Sequence, residues 1–573
     1  VALPLLGTLL ALAALALLAG AAAGATVHVD PGFGVDDPIA RQWTTLQKGV
    51  YDAAPGDVVQ VANGTYYENV TVWNSSVTIE GASRSGVTVI TNATNLNVLY
   101  VRNSGFSARN LTLQGGYHGV YASAASVHNG TVENVTFYGM SYACVEIPGA
   151  SDWRFQDLLL TACGTYGIMF DGSASYNHRL FNVTVVGPIV YEAFYFDQAF
   201  GVVGDRLFVP DAGRYAVYFY YSGFSTLSNF SFNLANSYGV RFYYSGWNTL
   251  RDGVINASAN DAIYTDMSPG GSLLNVLFTN HTSTSYVNIQ LSRSEHWTLS
   301  NVTILGPRQP LDFSYSDSLA PVYLEQFVDL SVTYNGVPIV FITNAVGASY
   351  SGPAAQLFVV NSSAVNITVN NTITGRTYGA TFVGMLNSTV GPLNATGNVH
   401  NFLVRGSWDN VFRDLFSGPP TSSSGAGVWL AGGGRNRFLD NNYTYPAASY
   451  TALLIHSGSN NNTVENLTCN GFSQCVRIEQ DSFDNAIVNS TFSGTYYAVY
   501  IYYGTHYRID RCTFLNGYMN IYGNNAGPGT ISNSTMSVAI YALYFSNSNS
   551  QRIDNMTVRN ITYFGIYASS SDY

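Results

Sequence analysis

The chain has 573 residues, a formal net charge of -11 and only 10% charged residues. An acidic surface makes nucleic acid and anionic membranes poor partners, and a single lysine, Lys48, all but removes lysine chemistry. Polarity comes instead from Asn, Ser, Thr and 42 Tyr residues.

Residues 1–25 are an uncharged apolar run, VALPLLGTLLALAALALLAGAAAGA. About 20 such residues span a bilayer as a helix. Three readings compete: a secretory signal ending near Ala23 to Ala25, a plain membrane anchor, and a retained filament helix. The segment led by Val1, Pro4, Leu5, Leu9 and Leu10 resembles the mature start of archaeal type IV pilins. That resemblance implies a helix that packs against its own copies, making a homopolymer, and that sits in the membrane before assembly. The acidic residue that bacterial pilins carry near position five is absent; Leu5 stands there.

Residues 26–57 read as a linker and a cap. Leu46, Val50 and Ala53 or Ala54 lie at helical spacing, and Pro55-Gly56 stops the helix. From Val58 the pattern becomes strand and turn: Gly56-Asp57-Val58-Val59-Gln60-Val61, then Gly64-Thr65-Tyr66, Glu68-Asn69-Val70 and Val72. This block resembles the N-terminal cap of pectate-lyase-like parallel β-helix proteins. The resemblance implies a right-handed parallel β-helix closed at one end by a short helix.

The repeats that follow support an all-β solenoid of roughly 20 rungs. Lead apolar positions recur at Val120, Val145, Ile168, Phe194, Val217, Val240, Ile263 and Val287. They resume at Phe402, Val428, Leu453, Val476, Val499, Met519, Leu543 and Ile566. Fixed periods of this size mark stacked repeats, and within each motif the alternation is that of half-buried strands. The first half is expected over 58–318 and the second over 361–573. Between them, at 319–360, the period fails and Val332 to Val340 reads as a hairpin around Asn335-Gly336. A β-hairpin insertion is expected there, either as a lateral β-rich protrusion or as an irregular pair of rungs.

Asn-x-Ser/Thr sequons number about two dozen. Asn69, Asn110, Asn134, Asn182, Asn301, Asn466 and Asn555 are candidate glycan acceptors of an exported chain; an Asn- and Thr-rich solenoid also produces sequons by composition. Cys469 and Cys475 form one candidate disulfide, and Cys144 with Cys163 another. No Cys/His spacing suggests zinc.

Catalytic elements known from polygalacturonase-like enzymes are missing: there is no Asn-Thr-Asp, Gly-His-Gly or Arg-x-Lys. The repeat register does align Asp171, Asp197 and Asp266 in one outward column. Asp171 and Asp197 fall on adjacent rungs, where two carboxylates either raise a pKa or bind calcium through oxygen. Outward tyrosines, among them Tyr218, Tyr220, Tyr243, Tyr500, Tyr502 and Tyr544, form strips suited to stacking on one another or to contact with proteins and surface glycans.

The leading expectation is therefore a structural, non-enzymatic extracellular protein without cofactor. It would be a cell-surface filament subunit or pilus-borne adhesin displaying a glycosylated β-helix. The alternatives are a secreted or tethered polysaccharide lyase or hydrolase using Asp171, Asp197 and Asp266, and a non-polymerising carbohydrate-binding envelope protein.

Overall fold

A computed structural model describes residues 24–122, 126–173, 175–187, 189–281, 283, 285–313, 321–422, 425–445 and 450–570. The apolar segment, with Val1, Pro4, Leu5, Leu9 and Leu10, lies outside the described residues. The fold is an all-β solenoid, a parallel β-helix of about 21 turns. Among the described residues it has one α-helix, and no helix is long and apolar enough to cross a membrane. The chain divides into two compact units, one from Val1–Ser272 with Phe278–Ser283, the other from Leu273–Leu277 with Thr284–Tyr573.

In the first unit the stack begins before the helix. Thr26–Val29 pairs in parallel with Val58–Val61, Thr26 opposite Val58. The helix Leu46–Asp52 lays Leu46 and Val50 against this end. Gly49 is needed where it packs, since a Cβ would come within 2.4 Å of Val29 Cγ2. Thr45 makes no side-chain cap. Glu68 caps the helix from a later rung: its Oε1 accepts from Leu46 N at 2.9 Å and its Oε2 from Gln47 N at 2.8 Å. A carboxylate at a helix N-terminus satisfies free N–H groups and meets the positive end of the dipole. Asp57 pins the other end, accepting from Ala25 N, Ala54 N and Arg41 Nη2.

Beyond the cap, Val120, Val145, Ile168, Phe194, Val217, Val240 and Ile263 stand opposite one another in sequence. Their side chains are buried, and so is the column two residues on, where Phe170, Phe196, Phe219 and Phe242 stack at 4.9–5.6 Å between centroids. Each rung buries its apolar face only by stacking on its neighbours, so stability is shared between adjacent rungs.

In the second unit Phe402, Val428, Leu453, Val476 and Val499 align likewise. The next lead residue is Ile521, not Met519: Val499 faces Ile521, and Met519 faces Tyr497. Leu543 and Ile566 then follow in register. Met519 and Ile521 have the same parity along the strand, so alternation alone does not separate them. Inside one corner, Asn410, Asn436, Asn462 and Asn485 are buried and hand hydrogen bonds from one to the next at 2.9–3.1 Å, which satisfies amides that would otherwise be costly to bury.

The hairpin is present but small. Thr333–Tyr334 pairs antiparallel with Val337 and Pro338 around Asn335 and Gly336, both at positive φ. Val337–Thr343 already pairs in parallel with Gln356–Val360. The lateral protrusion is therefore corrected to an irregular pair of rungs: the later part of 319–360 stacks in the solenoid, because the strand leaving the hairpin finds a parallel partner at once.

Candidate functional site

The site lies on the outward face of the first unit's rungs. One outward column runs Tyr100, Tyr121, Glu146, Met169, Tyr195, Tyr218, Arg241 and Tyr264. A second runs Pro148 to Asp171, and Asp197 to Tyr220, Tyr243 and Asp266. Asp171 and Asp197 each stand one residue past the facing pair Phe170 and Phe196, so they are neighbours. Asp266 is three rungs from Asp197, behind Tyr220 and Tyr243. The three-acid set expected from the column is therefore corrected to a pair, with Asp266 apart.

Glu146 completes the cluster. It sits one rung before Met169, beside Asp171, and its Oε2 lies 2.6 Å from His118 Nε2. His118 is anchored on its other side, with Nδ1 at 2.7 Å from Asn97 Oδ1, and it stacks on Tyr121 at 4.8 Å. Burial, then the charges of Glu146 and Asp197, push the Asp171 carboxyl up to about 6. Burial also raises Asp197, but there side-chain hydrogen bonds from Gln198 and from Tyr195, whose hydroxyl donates to Oδ2 at 3.3 Å, favour the charged form. Asp171 Oδ1 and Asp197 Oδ1 are both buried without a hydrogen-bond partner. Such atoms are costly unless something else meets them.

Glu192 is the residue that strand alternation missed. It opens the strand Glu192–Asp197, facing Tyr166 on one rung and Tyr215 on the next. Burial raises it to about 7, although Arg214 and Arg241 pull the other way. Arg214 Nε stands 3.8 Å away. The sequence signal is a charged residue at a strand start where flanking rungs carry Tyr.

The calcium reading gains no support. Among the described residues no group of three or more His, Cys, Asp or Glu could hold a metal ion.

The tyrosine strips are self-stacked. In the first unit Tyr195 and Tyr218 lie 5.5 Å apart and Tyr220 and Tyr243 5.6 Å apart. In the second, Tyr500 meets Tyr522 at 5.1 Å, Tyr522 meets Tyr544 at 5.3 Å and Tyr544 meets Tyr567 at 4.6 Å; Tyr502 leans on Tyr500 at 6.1 Å. Some of these pairs stack face to face, as Tyr220 with Tyr243 and Tyr500 with Tyr522, and others meet edge-on, as Tyr522 with Tyr544.

Six of the seven named sequon asparagines share one conformation. Asn110, Asn134, Asn182, Asn301, Asn466 and Asn555 have φ of 48–59°. All but Asn110 donate through Nδ2 to an Asn or Asp on the preceding rung, as Asn134 does to Asn110 at 2.8 Å and Asn466 to Asp440 at 2.8 Å. Asn69 is exposed and outside this pattern. Disulfides join Cys144 to Cys163 and Cys469 to Cys475, and Cys512 is free and buried.

Stacked parallel rungs with an outward polar face define the class. Residues 474–573 match the family described as right handed beta helix region. No curated protein matches the chain. Among solved structures, a DFA-IIIase from Arthrobacter chlorophenolicus A6 without its lid is 13% identical, covering 55% of this chain and 94% of that one, with TM-score 0.39. An alginate lyase from Paenibacillus sp. str. FPU-7 is 11% identical, covering 65% and 96%, with TM-score 0.30. Neither likeness bears on what this chain acts upon.

Proposed function

We propose that the chain cleaves a polysaccharide at the outward face of its first unit, by acid–base chemistry between Asp171 and Asp197. The observation that carries this reading is the pair itself: neighbouring carboxyls, each with a buried and unpartnered oxygen, in environments that separate their roles. Among the described residues no side chain donates to Asp171 Oδ1, and the carboxyl keeps its proton to about 6, so it protonates the departing glycosidic oxygen. Asp197 has the Tyr195 hydroxyl to stabilise its charge, so it acts as the base or nucleophile. Two titratable groups pushed into different states are the recurrent arrangement for such cleavage. Release of reducing ends from a polysaccharide panel tests it. Activity lost in both Asp171→Asn and Asp197→Asn is expected; full activity in either variant refutes the assignment.

A second reading, surface display with glycan contact, has its own support in the second unit's tyrosine strip. Export is supported by the two disulfides, which persist in oxidising compartments. A pilus-like filament built through the Val1 segment remains a proposal from the sequence. Intact residue 1 in native fibres, read by mass spectrometry, would support it, and soluble monomers starting after Ala25 would refute it.

A further inference from the structure

Arg241 has an unusual setting for a cation in an acidic chain. It lies in the strand Val240–Tyr243, in the same outward column as Tyr195 and Tyr218. Its guanidinium carbon lies 5.0–5.8 Å from the ring centroids of Tyr215, Tyr218, Tyr238, Tyr243 and Tyr264. One nitrogen, Nη1, donates to Tyr215 Oη at 3.0 Å. Nε is buried with no hydrogen-bond partner, and the carboxyl that acts on Arg241 through its charge is Glu192, itself pushed towards its neutral form by burial. Its neighbour Arg214 has Glu192 at 3.8 Å.

Ring faces attract a cation but only modestly, and a half-buried charge is costly unless it is closely paired and hydrogen-bonded. The fork of Nε and Nη on one guanidinium edge matches the two oxygens of a carboxylate or sulfate. On the rung before it Arg241 faces Tyr218, which leads along the column towards the acid pair. The column places Arg241 two rungs from Tyr195, about 10 Å at ordinary strand spacing.

We propose that Arg241 and its ring of tyrosines form a subsite for the anionic substituent, carboxylate or sulfate, of an acidic polysaccharide lying along this face. The subsite rests on the reading that this face takes a glycan. It makes Arg241 a specificity-determining residue two rungs from the bond that is cleaved.

Binding measured by calorimetry in the full-length Asp171→Asn chain separates recognition from turnover. The probes are a polyuronate, a sulfated galactan and an uncharged glucan of similar length. The expected result is that one or both anionic chains bind at least about tenfold more tightly than the glucan. Which of the two binds identifies the substituent. Arg241→Gln should erase the preference, and Arg241→Lys, which keeps charge but loses the planar fork, should restore part of it. Equal binding of all three probes, or a preference that survives in Arg241→Gln with unchanged thermal melting, overturns the subsite. If Arg241→Gln fails to fold, loss of the preference in Arg241→Lys alone sustains the subsite and its full retention overturns it. Cleavage of the uncharged glucan with Arg241→Gln unaffected defeats the subsite and leaves the cleavage reading standing. Failure of every probe to bind defeats both.

Discussion

Glu192→Gln isolates the effect of burial on this face. The free carboxyl titrates at 4.5 and the folded one at about 7, burial being the main cause. The folded chain thus holds the proton more tightly than the unfolded chain. The stability this carboxyl contributes is fully present below about pH 4.5 and is lost as pH rises through 7. At about 1.4 kcal/mol for each decade, the complete loss is about 3 kcal/mol. The substitution keeps size and shape and removes the titration. Urea unfolding of both proteins at about pH 5 and about pH 8.5 checks it. Between those points the parent should lose about 2 to 3 kcal/mol relative to the variant. Equal pH slopes in the two proteins would show that Glu192 is ionised throughout and that its burial is relieved. A variant less stable at pH 8.5 by the same margin would show that the contact with Arg214 outweighs desolvation.

Three further outcomes are expected. If Asp171 is the proton donor, kcat on a cleaved polysaccharide should fall as pH rises through about 6, and Asp171→Asn should lose about 100-fold or more while losing that limb of the profile. Asn466 holds φ 55° and donates to Asp440, so Asn466→Ala should cost about 1 to 2 kcal/mol in chemical denaturation, whereas Asn466→Gly should cost less because glycine takes that conformation freely. The Cys512 thiol is buried and pushed up to about 11 by that burial, so a thiol reagent at neutral pH should report no reaction in the native protein and one equivalent after unfolding without reductant.

The lead positions were legible because inward side chains repeat at nearly constant spacing and tolerate only apolar residues. Met519 shows the limit of that signal. It and Ile521 both fit the alternation, and only the length of the preceding corner decides which one stacks on Val499. Asp171 and Asp197 were legible as neighbours because an outward column is fixed once the inward one is known. Glu192 was not, because it opens its strand two residues before Phe194, a position that alternation assigns to the apolar interior. The sequons invite a misreading with a physical origin. At each such corner Asn takes a left-handed conformation open to few residues, the next residue turns inward and is apolar, and the third turns outward and is often Thr. Asn134, buried Val135 and Thr136 show the order. A corner of this kind writes Asn-x-Thr whether or not a sugar is attached.

The tyrosines and the acids of the first unit are parts of one device. A carboxylate on a bare sheet face would be solvated and would titrate normally. Here Tyr195, Tyr166 and their neighbours stack closely along the column and take water away from Asp171, Asp197 and Glu192. Desolvation is the first cause of the raised pKa at all three. The second unit carries its own stack of Tyr500, Tyr522, Tyr544 and Tyr567, where the charged neighbour Arg477 is already paired with Glu479. Aromatic stacking alone therefore accounts for a stable sheet face. What it does not account for is a set of half-buried carboxyls left with unpartnered oxygens beside it, since replacing them by apolar residues would serve stability better. That mismatch between what the fold needs and what the face carries is the support for the cleavage proposed on the first unit.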